Sequence, residues 1–271
     1  MAAGNRGTVR TSMHRFARNW LGVEVRRVRP ASAPAAPAEL PKSTVRFEID
    51  ERFNRMVEDA LTKTGSAAAG EAAPPWRRGR LYNLVRILAY TEGVEGRVAE
   101  VGTFRGMSAY MLCASLRDED GAFRGAGVDL FDSFEGISEP TTKDGVDDPT
   151  VAVGGVPRRA GLFAASVESV RSGLAEFPDV ALHPGWVPDC FADAPQGPYR
   201  FVHLDLDLHG PTLESLRFFV PRLAPGGALV IDDHGSVRWP GVREAAREFS
   251  DASGRRVLEL SSGQGLIVAP K

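Results

Sequence analysis

Cysteine is nearly absent: Cys113 and Cys190 are the only two in 271 residues. Two thiols cannot make a disulfide framework or a Cys-rich zinc site, so both read as free thiols, and the expected compartment is a reducing cytoplasm. Long apolar runs are also missing. None reaches the roughly 18 residues that a membrane-spanning helix needs, and no secretory-type apolar stretch stands near the start. Basic charge is scarce over most of the chain. Beyond residue 30 there are 26 basic against 34 acidic residues, a balance unsuited to tracking phosphates, so neither nucleic acid nor membrane is expected as a partner. What is present is ordinary for a globular protein, with 43% hydrophobic and 25% charged residues and a net charge of −2. The length suits one domain with some additional sequence.

Residues 1–30 run against that balance, with seven Arg and one Glu. A transit peptide, a membrane-surface helix or a solvated extension would each have this composition. We expect an arm (1–45, including the Pro/Ala linker 30–41) that packs on a partner subunit of a homo-oligomer. Ile49, Phe53, Met56, Val57 and Leu61 then recur at helical spacing, as do Leu81, Leu84, Val85 and Leu88, which predicts a helical cover over 46–95. From 96 to 271 strands alternate with helices. Apolar runs at 98–101, 126–131, 180–183, 201–206 and 228–231 are separated by helical stretches at 106–117, 166–177, 212–223 and 240–249, and 257–269 reads as a hairpin. That is an α/β pattern: a Rossmann-like, mostly parallel sheet with a C-terminal antiparallel hairpin, plus N-terminal helices. By fold-level analogy it is the arrangement of class I S-adenosylmethionine (SAM) methyltransferases.

Ligands of such sheets bind beyond the carboxyl ends of the strands. The first strand ends in Glu100-Val101-Gly102-Thr103-Phe104-Arg105-Gly106, followed by a helix whose start includes Ser108. Glycines let the backbone turn and approach a ligand, and the helix N-terminus offers free N–H groups. A dinucleotide fingerprint would need glycine where Phe104 and Met107 stand, so NAD is disfavoured. The second strand ends near Asp129 and Asp132, either of which suits ribose hydroxyls. The third ends at Gly185-Trp186, where an indole can pack on adenine. The fourth and fifth run into Asp205-Leu206-Asp207-Leu208-His209 and Asp232-Asp233-His234. Neighbouring strands would bring Asp205, Asp232 and Asp233 together, and such crowded carboxylates raise one another's pKa unless a cation joins them. Hard oxygen donors favour Mg2+ or a similar divalent ion. Asp207 shares a face with Asp205 if the strand continues. His183 and His203 read as packed strand residues. His209 and His234 follow the acidic ends and could reach metal, cofactor or substrate, and His234 joins Asp205 as a candidate catalytic residue. The polar, Gly/Pro-rich stretch 137–162 reads as a lid or acceptor-recognition loop.

The motifs EVGTFRG, DSFEG, FAASVESVR, PGW, LDLD and IDD, in this order over roughly residues 80–250, resemble the macrocin O-methyltransferase family. These are SAM- and Mg2+-dependent sugar O-methyltransferases of antibiotic biosynthesis. The resemblance implies a methionine-side pocket at Glu100, Gly102, Thr103, Phe104, Gly106 and Ser108, reaching Asp205. It implies a ribose ligand at Asp132 beside Ser133, and an adenine side at Gly185 and Trp186. Asp205, Asp232 and Asp233 would hold metal, with Asp205 also the general base, and the acceptor would be a small-molecule sugar or glycoside. A catechol-type O-methyltransferase and a non-catalytic SAM-binding protein are the alternatives. His209 and His234 stand where the family usually has tyrosine, Gly210-Pro211 replaces an acidic-Ser pair, and the first 80 residues match poorly.

Overall fold

The computed structural model describes residues 46–145, 152–153 and 156–271. The basic arm and the middle of the 137–162 loop lie outside the described residues. By compactness the chain divides into Met1–Arg55 and Met56–Lys271. In the first unit, α1 (Arg46–Ile49) precedes the opening residues of α2 (Glu51–Lys63). Asp50 caps that opening by accepting the Phe53 N–H at 3.0 Å.

The second unit is built on a seven-stranded sheet in the order β5-β2-β1-β6-β7-β9-β8. Its parallel part is β1 (Arg97–Val101), β2 (Val128–Asp132), β5 (Ala181–Pro184), β6 (Tyr199–Leu204) and β7 (Leu223–Ile231). The strands β8 (Leu258–Glu259) and β9 (Gly265–Val268) close one edge as an antiparallel hairpin, as the tail pattern predicts. A separate two-stranded pair joins β3 (Ala152–Val153) to β4 (Val156–Pro157). The interleaved helices are α3 (Pro75–Tyr90), α4 (Met107–Glu119), α5 (Val167–Gly173), α6 (His209–Phe219) and α7 (Pro240–Ser253).

Near-continuous apolar strands are the signature of a sheet buried on both faces. Alternate residues Ala99, Val101, Val202, Leu204, Leu229 and Ile231 enter one core with Leu213, Leu216 and Phe219 of α6 and Val242, Ala245 and Phe249 of α7. The other register of β1 and β6 carries a polar pair, because Glu100 and His203 are Cα partners. On α3, Leu81, Leu84, Val85 and Leu88 are buried, and the helix packs on α4 and β7. The cover expected over 46–95 therefore falls on both sides of the unit boundary, and its second helix belongs with the sheet.

Strand order reverses at β1, whose neighbours β2 and β6 lead to opposite edges, and this opens a crevice at the carboxyl ends of β1 and β6. Two details shape it. The first is Gly102, whose φ is +86°, and a Cβ there would sit 1.8 Å from the Asp205 carbonyl oxygen. The strand ends touch at this point, and only glycine fits. The second is the end of β6 at Leu204, two residues earlier than the apolar run suggests. Asp205 to Asp207 follow as irregular backbone, with Asp207 at φ +63°. The two-residue strand period therefore does not govern how Asp205 and Asp207 face one another.

Candidate active site

A cavity of about 1060 Å³ occupies this crevice. That is the upper end of the range for one small ligand, about 300–1,000 Å³, and leaves room for a cofactor and an acceptor together. The sheet ends supply its floor, and α3, with Trp76, Arg77 and Arg80, supplies a wall.

At one end the glycine turn and the β2 end are tied by Asp132. Its Oδ2 accepts the N–H groups of Thr103 (2.7 Å) and Phe104 (2.8 Å), and its Oδ1 accepts that of Phe134 (2.7 Å). Phe104 and Phe134 both hold positive φ, +49° and +59°, a conformation disfavoured for such side chains that the carboxylate helps to fix. Gly102, Thr103, Phe104, Ser108, Asp132, Ser133, Gly185 and Trp186 all line the cavity. The Ser133 hydroxyl is engaged in its own turn, donating to the Gly136 carbonyl at 2.8 Å. The buried Thr103 Oγ1 has no partner, so this end retains unused hydrogen-bonding capacity of the kind a polar cofactor would satisfy. Two expected contacts lie behind the wall. Gly106, at φ +86°, caps α4, and Glu100 is completely buried beneath the cavity, with Oε1 2.8 Å from His203 Nδ1.

Asp129 is committed elsewhere. Arg97 donates to both its oxygens at 2.6 and 2.8 Å, and His183 Nε2 lies 3.0 Å away. Burial opposes ionisation, but His183 and Arg97 outweigh it and hold this carboxyl below its usual range. We expect Asp129→Ala to lower stability by about 3 kcal/mol or more, because breaking a buried pair strands its partner. Denaturant melts measure that loss. SAM affinity of the folded fraction should be unchanged, and a weaker affinity at unaltered stability would return Asp129 to the ribose.

At the other end the acidic strand termini converge. One ligand atom each from His203, Asp205 and Asp232 lie within 4.8 Å of one another, and so do those of Asp205, Asp207 and Asp233. Asp205 belongs to both sets, whereas Asp232 and Asp233, expected together with it at one ion, fall in different sets. Burial and the charges of Asp232 and Asp233 push Asp205 up to about 8, with His203 and Arg80 offsetting part of this. Asp207 and Asp233 are raised for similar reasons. Asp232 goes the other way: burial opposes its charge, but His203, Arg80 and Gln264 hold it low. Burial likewise disfavours charge on His203, yet Asp232 and Glu100 raise it to about 10. Glu100 Oε1 lies 2.8 Å from its Nδ1, and Asp232 Oδ1 lies 3.8 Å from its Nε2. Four carboxyls face the two cations Arg80 and His203, and their crowding is relieved either by keeping protons, as the raised Asp205, Asp207 and Asp233 do, or by a further cation. Hard oxygen donors of this kind fit a divalent ion such as Mg2+.

Three of these residues carry no local signal in the sequence. His203 sits inside a strand, Arg80 lies on α3, and Gln264 belongs to the hairpin turn. Gln264 Nε2 donates to Asp232 Oδ1 at 2.8 Å. Conversely, neither histidine after the acidic ends lines the cavity. The His209 N–H caps onto Asp144 Oδ1 at 2.6 Å, and its ring turns to Glu248 (3.2 Å). His234 turns to the hairpin, with Nε2 3.9 Å from Glu259, and burial and Arg243 lower its pKa. The structure thus leaves His234, expected beside Asp205 as a catalytic residue, outside the cavity lining with its ring toward the hairpin.

Comparison with known proteins bears on the family and the fold. The family described as macrocin-O-methyltransferase (TylF) matches residues 42–257. The chain is 33% identical over 147 residues to a tetracenomycin rhamnosyl 4′-O-methyltransferase of Streptomyces olivaceus, covering 53% of this chain and 54% of that one. It is 32% identical to mycinamicin III 3″-O-methyltransferase of Micromonospora griseorubida, covering 65% and 69%. The chain thus spans between half and somewhat over two thirds of the length of these relatives. Among solved structures, the O-methyltransferase NovP superposes with a TM-score of 0.65 at 20% identity, covering 81% of this chain and 98% of that one. The calicheamicin methyltransferase CalS11 gives 0.59 at 17%, covering 85% and 99%. On a class I SAM-methyltransferase fold of the Rossmann-like type, with a family match spanning both ends of its cavity, the chain belongs to the macrocin O-methyltransferase (TylF) family.

Proposed function

We propose that this protein transfers the methyl group of SAM to a hydroxyl of a sugar, carried by a glycosylated natural product or a nucleotide deoxysugar, with a divalent cation at Asp205, Asp232 and Asp233. The observation that carries the reading is that one cavity joins the Asp132-braced glycine turn to the four-aspartate cluster. SAM supplies an electrophilic methyl, and a divalent ion would supply Lewis acidity that lowers the pKa of an acceptor hydroxyl. The chain's own residues do the rest. Asp132 holds the turn that faces the cofactor, with its remaining lone-pair capacity directed to ribose, and Trp186 offers an indole to the adenine side. Asp205, the carboxylate shared by both groups of ligand atoms and at the floor of the cavity, would accept the hydroxyl proton as general base. His203 and Arg80 keep Asp232 ionised beside it.

Mass-spectrometric detection of methyl transfer to a panel of glycosides, nucleotide sugars and catechols tests the reading. Turnover on a sugar acceptor that stops with EDTA and returns with Mg2+ is expected. Turnover on catechols alone would overturn the acceptor class. Turnover indifferent to chelator would remove the metal.

A further inference from the structure

The acidic cluster already holds one cation inserted from outside the sheet. Arg80, on α3, reaches it with a single nitrogen. Nη2 lies 2.7 Å from Asp232 Oδ2 and 2.8 Å from Asp233 Oδ1, and it also donates to the Asp232 carbonyl. The buried Nε has no partner. A guanidinium ordinarily grips a carboxylate through two parallel N–H groups, and this fork is its advantage over an ammonium. Here the fork is unused. One nitrogen sits among three oxygens of two residues, as a point cation would. Gln264 meanwhile fixes the opposite oxygen of Asp232 and also donates to the Arg80 carbonyl at 3.3 Å. Asp232 is therefore held in place from two sides.

Resting on the metal reading above, we propose that Arg80 Nη2 is the built-in counter-cation of the metal-free site, and that a divalent ion binds by displacing it. Asp232 and Asp233 are two of the three residues assigned to the ion, so the guanidinium and the ion compete for the same oxygens and repel each other at close range. Displacement is accessible because Arg80 lines the open cavity and surrenders no bidentate pair. Its released N–H groups then face the space that the acceptor enters. Trp76 and Arg77 of the same helix line the same cavity, so ion loading would be coupled to the wall that α3 contributes. By reciprocity, whatever holds Arg80 away from the cluster would tighten the ion.

Calorimetric titration of chelator-stripped protein with Mn2+ alone tests this, comparing wild type with Arg80→Gln and Arg80→Met. Both variants remove the charge, and Gln keeps a polar group should Met disturb the fold. Binding about tenfold tighter than wild type is expected, within the range usual for coupled sites. Thermal melts give a second readout: each variant should melt lower than wild type without metal and gain a larger upward shift from saturating Mn2+. A merely structural arginine predicts the reverse, since loosened ligands bind more weakly. Folded variants that bind Mn2+ no tighter than wild type would overturn the proposal while leaving the metal reading intact. Failure of wild type and both variants to bind Mn2+ would remove both.

Discussion

Asp205→Asn is expected to lower turnover by about a thousandfold or more, the range of a lost general base compounded by a weakened ion site. Its SAM affinity should stay close to that of wild type. The substitution leaves the backbone undisturbed, because the Asp205 N–H donates to Val101 O at 2.9 Å and its carbonyl packs on Gly102, neither of which involves the side chain. What it removes is the one carboxylate common to both ligand sets. An amide oxygen is neutral and cannot take a proton at neutral pH. Unchanged turnover would overturn both roles at once.

The same variant carries a stability signature with a definite sign. In the metal-free protein the Asp205 carboxyl is raised from 3.8 to about 8, so the folded state binds a proton over this interval that the unfolded state does not. Its stabilising contribution is complete below the unfolded value and is lost as pH rises toward about 8. Asparagine cannot ionise, so Asp205→Asn should melt above metal-free wild type at pH 8.5, with the gap closing toward pH 5. Adding Mg2+ should raise the wild-type melting temperature and leave the variant little changed. Equal melting curves across this range would mean that the cluster does not strain the metal-free fold.

The strands and the main acidic residues were legible in the sequence because both are strand-end properties. Apolar runs mark the strands, and the residues just beyond them face the crevice whatever the exact register. Asp205, Asp232 and Asp233 are read in this way, whereas at the second strand the same argument leaves Asp129 and Asp132 open and only the family resemblance selects Asp132. Missed or misplaced residues depend on facts that no local pattern contains. Glu100 meets His203 only because the β1–β6 register aligns them, and in sequence each looks like an isolated polar residue in an apolar strand. Arg80 stands beside the apolar stripe of α3, and nothing nearby shows that this edge of the helix meets Asp232, 152 residues away. His209 and His234 adjoin the acidic ends in sequence, but the helix start and the turn that follow rotate their rings toward Glu248 and Glu259. Chain adjacency to a ligand is poor evidence for a shared cavity once a strand has ended.

Asp132→Ala is the second large effect, and its cause distinguishes the two aspartates of β2. Three backbone N–H groups, those of Thr103, Phe104 and Phe134, lose their acceptor together. Each buried donor left without one costs about 1–3 kcal/mol, so the turn would rearrange rather than keep all three unpaired. Phe104 and Phe134 would be released from positive φ, and the cavity surface that the proposed function assigns to the methionine and ribose parts of SAM would lose its shape. We therefore expect SAM affinity to fall by about a hundredfold, measured by calorimetry, as for lost hydrogen bonds to a charged group. Asp132→Asn should lie between this variant and wild type, since its single carbonyl oxygen can serve only part of the set. Ribose contact alone would weaken SAM without moving the melting temperature, whereas bracing of the turn must move both. Loss of affinity with an unchanged melt would reduce Asp132 to a ribose ligand, and unaltered affinity would remove it from the site.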